Sequence, residues 1–124
     1  MALFCFSAQI LPGKTDQWKR MTEEMLGSRR QQYEECRGKA GITRELAWLQ
    51  HTATGDVVSV FWEVADPQGA FEHLSRSQDP FDQWNRERIS EILGWDWQRI
   101  SKEPIPELAF DWESIQAQVQ EEAA

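Results

Sequence analysis

The chain has 124 residues, of which 40% are hydrophobic, with seven tryptophans and a formal net charge of −8. That length suits one domain with its own core, and the apolar content excludes a disordered chain. The acidic balance excludes a nucleic-acid partner, because phosphate contacts need clustered Lys and Arg. Six acidic residues and no basic one fall from Glu103 onward. Residues 1–102 therefore read as the folded domain, and 103–124 as an acidic C-terminal extension with a short helix. No stretch approaches the ~20 apolar residues of a membrane span. The N-terminus lacks a basic leader and reads as a strand, so a cytoplasmic protein without a membrane partner is expected.

Residues 2–10 alternate, with Phe4, Phe6, Ala8 and Ile10 on one side and Leu3, Cys5, Ser7 and Gln9 on the other. This predicts a first strand ended by Pro12-Gly13. A long helix is expected over 15–36, with Trp18, Met21, Met25, Gln32, Tyr33 and Cys36 on its buried stripe. Arg29 and Arg30 on it read as solvated surface. Cys5 and Cys36 are too few for a disulfide framework and are expected as buried free thiols.

Residues 42–64 form the most informative stretch. Two runs rich in β-branched and aromatic residues flank Thr54-Gly55-Asp56, a hairpin signal. Closing the loop with Thr52 and Val57 puts Leu46, Trp48, Gln50, Ser59, Phe61 and Glu63 on one face. Ala47, Leu49, His51, Val58, Val60, Trp62 and Val64 then share the other. The second face is apolar enough to pack on helices. The first mixes aromatics with polar groups and needs a partner or a ligand.

Asp66-Pro67 and Asp79-Pro80 each predict a helix start, with the Asp side chain accepting from free amides and Pro in the first turn. The second helix ends at Gly94. Residues 95–100 read as a fourth strand, and 110–119 as a terminal helix bearing Phe110, Trp112, Ile115 and Val119. The expected class is α+β, a ferredoxin-like β-α-β-β-α-α-β with a four-stranded antiparallel sheet and helices on one side. Its bare sheet face predicts a homodimer.

Three features carry a resemblance over about residues 2–102. They are the strand–Pro12-Gly13–long-helix opening, the paired central strands, and Phe71-Glu72-His73-Leu74 followed by Ser77 and Asp79-Pro80-Phe81. With these the chain resembles the dimeric α+β barrel superfamily. The last pattern is similar to the antibiotic-biosynthesis-monooxygenase branch, and the charged first helix to small bacterial members. The resemblance implies a barrel closed by two copies, and a pocket position for His73. The haem-degrading branch uses a first-strand Asn and a later helical His, where this chain has Ser7 and Trp84-Asn85. Haem is therefore not expected, nor any other cofactor.

His73 suits acid–base work, and so does Glu63 if its face is desolvated. Glu63 equally suits an ion pair with Arg44 or Arg99. Trp48, Phe61 and Trp62 are candidate walls for a small apolar or aromatic ligand, with Gln50 and Arg44 as polar contacts. Trp62 belongs only if the register differs or the helix layer opens. His51 reads as structural. The two histidines lack metal-ligand spacing, so no metal is expected. Three functions fit: an enzyme performing proton transfer or cofactor-free oxygenation, a ligand binder without chemistry, and a structural dimer.

Overall fold

Residues 1–123 are described by the computed structural model, with side chains at all but 117, 118, 122 and 123. The frame is an antiparallel sheet of three strands, β1 (Ala2–Gln9), β2 (Ile42–Thr52) and β3 (Gly55–Val64), in the order β1-β3-β2. The run Val57-Val58-Ser59-Val60-Phe61-Trp62 suits the central position, where both edges are hydrogen-bonded and side chains pack on neighbours. Inward residues Phe4, Val58, Trp62 and Val64 are buried, whereas Leu3 and Trp48 on the other face are exposed. Helices thus cover one face alone. A bulge between Ile42 and Arg44 inserts an extra residue, which turns both Ile42 and Glu45 inward.

The observed hairpin pairs Thr52 with Gly55, not with Val57, so the register differs from the expected one by two residues. An even shift keeps every side chain on its face. The predicted faces therefore stand, while the cross-strand pairs become Trp48 with Ser59 and Leu46 with Phe61. Gly55 closes the tight loop at φ +129°, which a side chain would resist. Asp56 is held by Thr15 Oγ1 at 2.6 Å and His51 Nδ1 at 2.7 Å, which draws it into the strand.

The expected long helix is two, α1 (Thr15–Leu26) and α2 (Arg30–Lys39). Gly27 lies outside helical geometry at φ −110° and ψ −104°, and Arg29 N bonds back to Glu24 O at 2.8 Å. Met21, Met25 and Cys36 are buried as expected, but Cys5 is exposed because the odd positions of β1 face outward. Arg29 stacks over Trp84, 4.2 Å from the ring centroid, and pairs with Glu24 at 3.1 Å.

Helices α3 (Pro67–Arg76) and α4 (Pro80–Leu93) start at the two Asp-Pro pairs. Neither Asp66 nor Asp79 makes the expected side-chain cap bond; Asp79 instead pairs with Lys39 at 2.9 Å. The fourth strand expected at 95–100 is not formed. Its place is taken by a short helix, α5 (Trp97–Ile100), because Asp96 Oδ1 accepts from Gln98 N at 3.1 Å and from Arg99 N. Trp97 is buried, and its Nε1 donates to Arg86 O at 3.1 Å, which ties this turn to α4. The terminal helix α6 (Ile115–Ala123) begins later than expected, leaving Phe110 and Trp112 outside any helix or strand. No helix among the described residues is long and apolar enough to cross a membrane.

Gly27 gives a test in which helix propensity and local geometry oppose each other. Alanine favours a helix by about 1 kcal/mol over glycine. A Cβ on Gly27, however, would lie 2.8 Å from the Glu23 carbonyl oxygen. Gly27→Ala is expected to destabilise the fold by about 1–3 kcal/mol in urea melts. A gain in stability would mean that the α1–α2 break is not held as described.

Candidate functional site

A cavity of about 320 Å³ lies between the inner sheet face and the helices. The strands contribute Phe6, Ala47, Val58, Val60 and Trp62, and α1 contributes Trp18, Met21 and Met25. Phe71 and Leu74 of α3, Ile89 and Leu93 of α4, and Trp95 and Trp97 complete the apolar wall. The aromatics are interlocked. Phe6 meets Trp62 edge-on at 5.5 Å between centroids, Trp62 lies 5.0 Å from Phe71, and Trp95 lies 5.7 Å from Phe6.

One wall is polar, and helical spacing builds it. Tyr33 and Arg37 stand four apart on α2, hence on one face, above the inward Glu45 of β2. Tyr33 Oη donates to Glu45 Oε1 at 2.6 Å, and Arg37 Nε donates to the same oxygen at 3.0 Å. Trp62, cross-strand partner of Glu45, donates from Nε1 to Oε2 at 2.5 Å. Arg37 Nη1 reaches Asn85 Oδ1 of α4 at 3.1 Å, and Asn85 Nδ2 turns to the Met25 sulfur at 3.4 Å. One ion pair therefore connects α2, β2, β3, α4 and, through the methionine, α1.

These contacts set the ionisation of the wall. Burial alone would raise the Glu45 carboxyl. The Arg37 charge and hydrogen bonds from Tyr33, Trp62 and Arg37 outweigh it and hold the group below the usual carboxylate range. Burial, then the Glu45 charge and hydrogen bond, push the Tyr33 phenol well above its ordinary value. Burial opposes the charge on Arg37, but Glu45, Cys36 and Tyr33 keep its guanidinium protonated throughout the accessible range. Beside it the Cys36 thiol is pushed up to about 12, chiefly by burial, so it is inert at neutral pH. Asp82 is also buried and accepts from Ser77 Oγ, while Arg86 binds the Leu74 and Ser77 carbonyls at 2.6 and 2.9 Å. Those bonds fix α4 against the end of α3.

Of the residues singled out from the sequence, Trp62 lines this cavity. Trp48, Phe61, Gln50, Arg44 and Glu63 share the outer sheet face, paired there as Leu46 with Phe61 and Arg44 with Glu63. His73 lies on α3 and is not part of the cavity wall; its Nε2 is buried without a hydrogen-bond partner among the described residues. Glu63 and His73 are not brought together. Glu45, Arg37 and Asn85 were missed. Glu45 alternates in phase with Ala47 and Leu49, so an acid on the apolar face of a strand was the available signal. No group of three or more His, Cys, Asp or Glu suited to a metal occurs among the described residues.

The ion pair has a pH signature. A carboxyl whose folded pKa is depressed adds stability that is complete above its unfolded pKa of about 4 and is lost as pH falls through the folded value. Glu45→Gln is therefore expected to flatten the acid limb of the stability profile below about pH 5. An unchanged limb would show that Glu45 is not held ionised. Arg37→Met, which strands a buried carboxylate, is expected to cost about 3–5 kcal/mol in denaturant melts. The double variant Arg37→Met/Glu45→Leu should recover most of that loss.

No protein-family model, curated protein or solved structure matches the chain, so the functional reading rests on the residues of this site.

Proposed function

We propose that this chain is a small-molecule-binding protein whose ligand occupies the inner cavity, and that it works as a homodimer closed through the outer sheet face. The observation that carries the first part is a largely apolar, aromatic cavity with a single polar wall whose charges cancel. Its volume falls at the lower end of the range for ligand sites. Because Arg37 and Glu45 neutralise each other, the cavity favours a neutral ligand with aromatic or aliphatic bulk. Arg37 Nε and Nη1 are engaged, while Nη2 donates to no described residue, which leaves a donor for one ligand oxygen.

Binding without chemistry fits this wall better than proton transfer. Glu45 is held ionised and saturated by three donors, which makes it a weak base at neutral pH. The Glu63–His73 pairing, on which an acid–base enzyme would depend, has its members on opposite layers. The dimer is supported by the exposed outer face, where Trp48 is 54% accessible near Leu46 and Phe61, and Leu3 is exposed farther along on β1. Closure of two such sheets is the arrangement that the resemblance to dimeric α+β barrels implies.

The neutral fluorophore N-phenyl-1-naphthylamine is expected to bind one per chain with enhanced emission. Ala47→Trp, which fills the cavity from the sheet side, should weaken it at least tenfold, about 1.4 kcal/mol, with the circular dichroism unchanged. Tighter binding of the anionic 1-anilinonaphthalene-8-sulfonate, or no effect of the substitution, would contradict the proposed ligand class. Light scattering should give twice the 14.5 kDa chain mass, and Trp48→Glu should halve it by placing a charge in the apolar contact. A monomeric unsubstituted chain at micromolar concentration would remove the dimer.

A further inference from the structure

Two apolar surfaces of this chain lack a cover, and their patterns match. The first is the outer sheet face, with Leu3 and Cys5 of β1 beside Phe61 of β3, and Trp48 on β2 beyond it. The far edge of β1 makes no backbone hydrogen bond to any other element among the described residues. This is the edge left open because residues 95–100 fold as a helical turn. The second surface is the segment after α5. Leu108, Phe110 and Trp112 recur every second residue, with Ala109 and Asp111 between them and Glu107 before them. That is the alternation of a strand with one apolar side, not the spacing of a helix. Within one chain Phe110 and Trp112 stay 82% and 78% exposed.

We propose that residues 106–112 of one copy add as a fourth strand along the β1 edge of a second copy, with Leu108, Phe110 and Trp112 turned to the same side as its Leu3 and Cys5. This rests on the sheet-face dimer proposed above. The chain is held to its own core as far as Ile105, which packs against it beyond Ser101, whose carbonyl accepts from Gln68 Nε2 at 2.7 Å. The seven residues from Pro106 to Trp112, about 24 Å when extended, are close in length to the eight-residue β1. Pro104 and Pro106 keep the lead-in extended, and Pro106, which has no amide hydrogen, is tolerated at the first position of an added strand. The alternate acidic residues point away from the apolar contact and keep further strands from stacking on the new edge.

Cys5 is an exposed native reporter on the receiving strand. In full-length Phe110→Cys, mild oxidation is expected to give a covalent dimer in which peptide mapping finds position 5 of one chain linked to position 110 of another. Asp111→Cys, on the opposite side of the strand, should give at least tenfold less. The double variant Cys5→Ser/Phe110→Cys should not form that link. A link closed within one chain would overturn the proposal, as would no link, or equal yields at 110 and 111. Light scattering on the unsubstituted chain separates the two ideas. A dimer without the link leaves the sheet-face contact standing and removes the arm exchange, whereas a monomer removes both.

Discussion

The Arg37–Glu45 ion pair is the constraint on which the rest of this structure depends. Glu45 sits on the inward side of β2, where an unpaired carboxylate would cost several kcal/mol. Three donors from two elements meet it, and Arg37 carries the connection on to Asn85 of α4. An apolar pair of similar volume would pack at least as stably. The charged pair instead ties α2 to β2 and, through Asn85, to α4, directly beside the cavity.

That arrangement also explains the character of the cavity. The Arg37 and Glu45 charges are matched to each other within the protein, so selection of the proposed ligand would fall to shape, to the aromatic walls and to the one donor left on Arg37. The sulfurs of Met21 and Met25, turned toward Asn85, give the α1 side a polarisable and adaptable surface. Trp62 serves both layers, donating to Glu45 while stacking among Phe4, Phe6 and Phe71. Under the proposed function the two sheet faces would have separate tasks, ligand contact on the inner one and chain-to-chain contact on the outer one.

Helices α3 and α4, the hairpin and the division of its two faces were legible in the sequence, the faces because strand alternation survives a two-residue register shift. The break at Gly27-Ser28 was visible as composition but hidden by a continuous apolar stripe from Trp18 to Cys36. The stretch Trp95–Asp96–Trp97 misled for a physical reason. Alternating tryptophans suggest a strand, yet a capping Asp and a tryptophan anchored on α4 make a helical turn. The candidate site was less legible. Trp48, Phe61 and Glu63 attracted attention as a polar-aromatic face, but that face points away from the helices. Glu45 and Arg37, eight residues apart, come together only because α2 folds back onto β2 after the turn at Gly41, a contact that no helical or strand spacing announces.

The central claim is that the inner cavity receives a neutral, largely apolar ligand, and methyl NMR tests it most directly. Three methionines are present. Met21 and Met25 line the cavity, and Met1 is exposed at the terminus. With 13C-methyl-methionine label and N-phenyl-1-naphthylamine as ligand, the Met21 and Met25 resonances should shift together and saturate at one ligand per chain. Met1 should stay fixed. Shifts confined to Met1, or no saturable shift at Met21 and Met25, would contradict the account.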